Sequence, residues 1–204
     1  MDKKNIDWAN IGFGYVQTDK RFVSNFKDGK WDDGQLTDDA TVVISECAGV
    51  LQYAQTCFEG MKAYRSADGG ALLFRPMNNM KRINLSNERL CIPPIDEEFG
   101  VEAVKKLVEV DKDWIPDGEG TSLYIRPFIF ATECALGVHP SHTYQFIIIM
   151  SPVGAYYPEG LNPVKIYVED EYVRAVRGGM GFAKTAGNYA ASIKAQEVAG
   201  KKGY

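Results

Sequence analysis

Short runs of apolar and aromatic residues, separated by glycine-containing turns, predict a sheet through much of the chain. Residues 13–26 mix aromatic and β-branched side chains, which are typical of strands. The dipeptide Asp28-Gly29 that follows is a strong hairpin signal. The glycine-containing turn 67–70 predicts a second hairpin. The further strands are expected at 61–65, 71–74, 122–131, 144–153 and, beginning a new unit, 165–169.

Helical spacing of apolar residues predicts the remaining elements. The clearest helix covers 96–114, where Asp96 can cap the first turn. Its apolar face is formed by Val101, Val104, Leu107 and Val108. The other helices are expected within 42–59 around Leu51, at 77–90 after Pro76, and at 188–199 before Gly200 and Gly203.

The order of these elements predicts an α/β fold with an α+β-type mixed sheet and two domains. We expect a small N-terminal α/β domain at 1–157, a linker at 158–164, and the beginning of a C-terminal domain at 165–204. Gly203 is typical of the residue that ends a helix, and a strand then follows within a few residues in such folds. The sequence therefore predicts a chain cut at a helix-to-strand junction.

The composition argues against two classes of partner. A net charge of -4 over 204 residues leaves no basic surplus for phosphates, so no nucleic-acid partner is expected. The longest apolar run, 146–150, is too short to span a bilayer, and the first ten residues lack the apolar core of a signal peptide. We therefore expect a cytoplasmic protein with no membrane partner.

The cysteines and histidines show no metal-binding spacing. No CxxC pair is present, so reduced and mostly buried thiols are expected at Cys47, Cys57, Cys91 and Cys134. His139 and His142 lie in the loop VHPSH, and no further ligand is evident beside them. The sequence alone therefore predicts loop histidines and no metal site.

Lys184 is the first candidate for chemistry. It lies in the segment 178–189 (GGMGFAKTAGNY), where glycines and small side chains let a flat ring approach the backbone. Burial among apolar atoms would favour the neutral amine that Schiff-base chemistry requires. The residues alone support a glycine-rich turn equally well.

Other candidates combine a polar group with apolar surroundings. Arg75 ends an apolar strand before a helix, which suits a buried anion, although arginines at strand ends more commonly extend to solvent. Tyr124 and Arg126 share one face of a strand and could contact a carboxylate, or that face could simply be solvated. Glu59-Gly60 marks a tight turn.

Six stretches together resemble the class-IV, D-amino-acid-transaminase-like enzymes that use pyridoxal 5′-phosphate (PLP), and the branched-chain amino acid aminotransferases in particular. They are 53–63 (YAQTCFEGMKA), 73–76 (LFRP) with Asn79, Met80 and Arg82, 122–127 (SLYIRP), 136–138 (LGV), 151–156 (SPVGAY), and Lys184 with 187–189 (GNY). Their order and number make the resemblance specific. It implies a D-amino-acid aminotransferase-like PLP-dependent fold, with 165–204 opening the PLP-binding domain.

The resemblance implies roles around the cofactor. Lys184 matches the lysine that bonds to PLP and then moves the Cα proton of the substrate. Tyr189 matches the tyrosine near the PLP phenolic oxygen. Arg75 matches the arginine that binds the phosphate, and Arg174 matches a second arginine close to the cofactor. In the family, the acid partner of the pyridine nitrogen lies beyond this lysine, so weak or absent turnover is expected for this chain alone.

The resemblance also implies a substrate pocket. The aromatic wall would be formed by Tyr53, Phe58, Tyr124 and Tyr156. Arg126 matches the arginine that can meet the side-chain carboxylate of glutamate. A neighbouring subunit lays a loop over the pocket, which implies at least a homodimer; that loop corresponds to Leu136, Gly137 and Val138.

The implied reaction is transamination of leucine, isoleucine and valine with 2-oxoglutarate, which belongs to branched-chain amino acid biosynthesis. Its partners are these small-molecule substrates. Two alternatives stay open. The first is another enzyme of the same fold, either a D-amino-acid transaminase or an aminodeoxychorismate lyase. The second is an inactive folding or interaction module.

Overall fold

An eight-stranded sheet organises the computed structural model, which describes residues 6–155 and 162–204. The strands are β1 (Arg21–Lys27), β2 (Lys30–Trp31), β3 (Gln35–Thr37), β4 (Thr56–Phe58), β5 (Met61–Arg65), β6 (Ala71–Leu73), β7 (Ser122–Ala131) and β8 (Tyr144–Val153). Their order is β2-β1-β8-β7-β5-β6, with β3 beside β1, β4 beside β7, and each of these pairs antiparallel. The helices are α1 (Gly49–Tyr53), α2 (Pro76–Arg89), α3 (Glu97–Val110) and α4 (Ala186–Lys201). The predicted α/β fold class is confirmed.

The β7–β8 hairpin forms the centre of the core. Its two strands are paired along their whole length, from Ser122 opposite Val153 to Ala131 opposite Tyr144. Ile125, Ile129 and Phe146 are completely buried, in one cluster with Val104 and Leu107 of α3. Strands buried to this extent carry nearly continuous apolar runs, which is why both were predicted from the sequence with the correct bounds.

The two predicted hairpins are present, and turn chemistry explains them. Asp28 and Gly29 both adopt left-handed backbone conformations, with φ of 53° and 79°, between β1 and β2. Two consecutive residues with positive φ match the twist of the flanking strands, and aspartate and glycine tolerate that conformation best. In the β5–β6 hairpin, the Asp68 side chain accepts a hydrogen bond from the backbone N–H of Gly70.

Helix α3 begins as predicted because Asp96 caps it. The Asp96 carboxylate accepts a hydrogen bond from the backbone N–H of Phe99 at 2.8 Å. Glu97 and Glu98 in the first turn add negative charge at the positive end of the helix dipole. The helix ends at Val110, and the remainder of the predicted segment forms a separate 3-10 turn, Lys112–Trp114.

Replacing Asp96 with alanine is expected to lower the free energy of unfolding by about 1 kcal/mol, the usual contribution of such a cap. The substitution removes the acceptor for the Phe99 N–H, and the exposed site leaves no cavity. Urea denaturation followed by circular dichroism measures the effect. Asp96→Asn keeps a side-chain acceptor and serves as the control; equal losses in both variants would contradict the capping role.

Three expected elements differ from the structure. Residues 13–20 are not a strand, because Val16 there donates its N–H to the Ser151 hydroxyl instead of joining a ladder. Only Gly49–Tyr53 is helical within 42–59, since Ala54 is left-handed at φ 52° and the chain then enters β4. Residues 165–169 are not a strand, because no described strand pairs with them.

Smaller corrections concern the helix end and the thiols. Helix α4 continues through Gly200 to Lys201, and Gly203 follows it with the expected positive φ. Cys91 and Cys134 are exposed rather than buried, because they lie in loops next to the helix and strand ends. The linker expected at 158–164 lies mostly outside the described residues, so the domain division stays a prediction. Among the described helices, none combines the length and apolar character needed to cross a membrane.

Candidate functional site

The backbone around Lys184 is fixed by contacts with two other elements. The Lys184 N–H donates to the Ser86 hydroxyl of α2 at 2.9 Å, and the Lys184 carbonyl accepts from the Phe58 N–H of β4 at 3.0 Å. The next residue, Thr185, is buried and donates its hydroxyl to the Thr56 carbonyl at 2.7 Å. Lys184 therefore projects from a rigid junction between the sheet and α4, although its segment has no regular structure.

The Lys184 amine is surrounded by aromatic groups. Its Nζ donates to the Tyr189 hydroxyl at 2.6 Å and lies 4.6 Å from the centre of the Phe58 ring. The Phe58 and Tyr189 rings are themselves in contact, with centroids 4.9 Å apart. Tyr189 lies on the first turn of α4, so a spacing of five residues brings its hydroxyl back to the amine. The predicted pair of Lys184 and Tyr189 is thus brought together.

Arg126 also contacts the Phe58 ring. The guanidinium carbon of Arg126 lies 4.5 Å from the ring centre, and its Nη2 donates to the Tyr124 hydroxyl at 2.8 Å. The Arg126 Nε is buried and lacks a partner within the described residues. A buried donor without an acceptor is costly, so this atom favours a ligand that carries an acceptor.

Gly60 is required beside Tyr124. A Cβ atom at Gly60 would lie 2.2 Å from the Tyr124 hydroxyl, which only a displacement of the ring could relieve. Tyr124 also contacts the edge of Phe13, and both rings line an open cavity of about 290 Å³ together with Arg126. The turn at Glu59-Gly60 therefore has a steric role in seating one wall of this cavity.

A buried carboxylate, Glu59, connects this wall to α2. It accepts hydrogen bonds from Arg82 Nε and Nη2 at 2.5 and 2.7 Å, and from the Asn79 side chain at 3.0 Å. The bond to Glu59 raises the pKa of Arg82, with smaller contributions from Tyr189 and Tyr124. The Arg82 guanidinium is therefore a cation held near the two tyrosines.

Sequence reasoning did not assign Arg82 or Glu59 a role. Arg82 was only named in one of the stretches that carry the family resemblance, and Glu59 was predicted only to mark a turn. The available signal was the spacing of Asn79 and Arg82, which places both on one face of a helix. Their common partner across the fold could not be found from that spacing.

The other predicted residues have their described contacts with groups other than the Lys184 amine. Arg75 is exposed and left-handed at φ 51°, preceding α2, and its carbonyl accepts from the Asn78 N–H. Arg174 is exposed and donates to the Gly181 carbonyl at 3.3 Å. Tyr53 donates its hydroxyl to the Leu136 carbonyl, on the exposed loop that also contains Gly137 and Val138. Tyr156 lies outside the described residues.

Comparison with known proteins identifies relatives along almost the whole chain. No family model matches it. It is 57% identical to "Branched-chain-amino-acid aminotransferase 2" of Bacillus subtilis over 99% of this chain and 56% of that protein. It is 53% identical to "Branched-chain-amino-acid transaminase 1" of the same organism over 99% of this chain and 57% of that protein. The chain therefore spans somewhat more than half the length of these relatives.

Solved structures show a similar fold. A branched-chain aminotransferase from Thermoproteus uzoniensis, solved with norvaline, superimposes with a TM-score of 0.74 at 24% identity, over 92% of this chain and 58% of that one. The branched-chain amino acid aminotransferase from Thermobaculum terrenum, solved in its PLP form, gives a TM-score of 0.67 at 20% identity, over 92% of this chain and 57% of that one.

Proposed function

Because this chain is homologous to the N-terminal part of the branched-chain-amino-acid aminotransferases, we propose that it binds PLP through Lys184 and contributes the substrate pocket for transamination. The substrates would be leucine, isoleucine and valine with 2-oxoglutarate, and the products branched-chain 2-oxo acids and glutamate. The observation that carries the proposal is the lysine amine held against Tyr189 and Phe58, with Arg126 beside the same ring.

The residues present fit the chemistry of the cofactor. Bound PLP supplies an electron sink for the Cα–H bond of the amino acid. Lys184 provides the amine that bonds to the cofactor and moves the Cα proton, and Tyr189 orients that amine through the 2.6 Å hydrogen bond. The phosphate would be bound by Arg75, as the resemblance implies, with Arg174 nearby. Arg82 is an additional candidate, since it is a cation near Tyr189.

The pocket fits two kinds of side chain. The rings of Phe58 and Tyr124 offer an apolar wall for leucine, isoleucine and valine, to which Tyr53 and Tyr156 would add further aromatic surface. Arg126 offers its unpaired buried Nε to the side-chain carboxylate of glutamate or 2-oxoglutarate. A cytoplasmic homodimer, in which Leu136, Gly137 and Val138 cover the neighbouring pocket, completes the proposal.

A substrate panel tests the proposal. Purified protein with PLP is incubated with branched-chain L-amino acids, D-amino acids and aminodeoxychorismate, each with and without 2-oxoglutarate. Slow glutamate formation from leucine, isoleucine and valine that depends on 2-oxoglutarate is the expected result, because only weak turnover is expected for this chain alone. Preference for D-amino acids, or pyruvate release that is independent of 2-oxoglutarate, would assign one of the related enzymes of this fold instead.

Replacing Arg126 with leucine is expected to lower kcat/KM for 2-oxoglutarate by about 10- to 100-fold, the effect of one buried charge-assisted hydrogen bond. The rate of the half-reaction with leucine should change much less, because that side chain needs no cation. Single-turnover absorbance measurements with each substrate separate the two effects. Tyr124→Phe is the matched variant, because it removes only the hydroxyl that Arg126 contacts. Equal losses for 2-oxoglutarate and leucine in Arg126→Leu would contradict the assignment.

A further inference from the structure

Three potential metal ligands meet outside the site described above. Glu133 follows the end of β7, and His139 and His142 lie in the loop that leads to β8. One ligand atom from each side chain lies within 4.8 Å of the other two. From the sequence, only the two histidines were considered as ligands. The third ligand, Glu133, precedes the VHPSH segment, and the folding of the loop brings it beside the histidines.

The spacing between two of these ligands matches a coordination sphere. The Nδ1 atom of His142 lies 3.1 Å from both carboxylate oxygens of Glu133. Two ligand atoms that each lie about 2.1 Å from a tetrahedral ion are roughly 3.4 Å apart. The distance between His142 Nδ1 and the Glu133 oxygens is therefore close to that separation. The third ligand, His139, has an exposed ring, and its ligand atom lies within 4.8 Å of the other two.

The surrounding hydrogen bonds orient the ligands. The backbone N–H of His142 donates to the Glu133 carboxylate at 2.6 Å, and this bond is the main cause of the lowered pKa of Glu133. The Nδ1 of His139 lies 2.9 Å from the Pro140 carbonyl, which requires a proton on Nδ1 and leaves the Nε2 lone pair for a ligand bond. The base of the loop is closed by the Thr132 N–H, which donates to the Thr143 carbonyl.

We propose that Glu133, His139 and His142 bind one divalent transition-metal ion, with water completing the coordination. Two imidazole nitrogens and one carboxylate favour Zn²⁺ and its neighbours over Mg²⁺ or Ca²⁺, which prefer oxygen ligands. The three ligands are not among the residues described around the Lys184 amine, so PLP is not needed to bind the ion. The ion cross-links the two ends of the β7–β8 loop.

Titration with Zn²⁺ tests the proposal. The chain, prepared without a polyhistidine tag and stripped with a chelator, is titrated against a chromophoric zinc chelator. One equivalent of Zn²⁺ per chain is expected to bind at micromolar concentration. Glu133→Gln and His142→Asn should each weaken this binding about 100-fold or more, since loss of a direct ligand exceeds the effect of an outer-shell change. Circular dichroism establishes that both variants remain folded.

Cys134→Ser is the matched control, because this exposed thiol follows Glu133 in the sequence and is itself a potential metal ligand. It should bind Zn²⁺ like the unchanged chain, and Co²⁺ should give d–d absorption without a thiolate charge-transfer band. Loss of binding in Cys134→Ser would overturn the ligand set. Absence of saturable binding, or full affinity in both Glu133→Gln and His142→Asn, would overturn the site.

Discussion

Replacing Lys184 with arginine is expected to abolish the selective covalent labelling of this chain by PLP. The unchanged protein is mixed with PLP and reduced with borohydride. Peptide mapping by mass spectrometry should then find a near-stoichiometric pyridoxyl adduct on Lys184. The backbone of Lys184 is fixed by Ser86 and Phe58, so its amine is presented in one place. Arginine keeps the charge and the length but cannot form an imine, so the labelling should fall to the level of the surface lysines.

The selectivity of this labelling has a physical basis. PLP carries a phosphate, and the cations Arg82 and Arg126 on neighbouring elements would raise its concentration near the Lys184 amine. Lys194→Arg is the matched control, because Lys194 lies on α4, the helix that follows Lys184, and pairs with Glu197 at the surface. Its labelling pattern should match that of the unchanged chain. Scattered labelling of many lysines, or an adduct pattern unaltered by Lys184→Arg, would contradict PLP binding at Lys184.

The long strands and capped helices were predictable because their signals are local. Strands β7 and β8 are almost uniformly apolar, and α3 has both an N-cap and an apolar face, so nearby residues determine each element. Strand β4 was not predicted. Its residues Thr56 to Phe58 form a strand because they pair with Phe128 to Phe130, 70 to 74 positions away. Such pairing depends on the tertiary fold, which a local pattern does not contain.

The same distinction applies to the site. Lys184 and Tyr189 were predicted as site residues from the family resemblance, and the first turn of α4 explains why five residues bring their side chains together. The environment of Arg82 could not be predicted from the sequence, because its partner Glu59 lies 23 positions earlier on another element. Arg75 illustrates the reverse case. Its position after an apolar strand suggested a buried anion site, yet the left-handed turn before α2 leaves its side chain exposed.

The Glu59 carboxylate is expected to make the largest single contribution to stability within the site. Its side chain is completely buried and accepts four hydrogen bonds, from Arg82 twice, from Asn79, and from the backbone N–H of Gly60. Removing one partner from such a buried network leaves the other groups without acceptors. The Arg82 side chain is 54% exposed, so water compensates it in part, which reduces the expected cost.

Glu59→Ala should therefore lower the free energy of unfolding by about 2–4 kcal/mol, measured by urea denaturation with an unchanged m-value. Glu102→Ala is the control, because its pair with Lys105 is exposed and should contribute less than about 1 kcal/mol. Glu59 is adjacent to Phe58 and Gly60, so the Glu59 variant should also lose selective PLP labelling of Lys184 under conditions in which it remains folded. A Glu59→Ala protein as stable as Glu102→Ala would contradict this prediction and would show that water replaces the carboxylate.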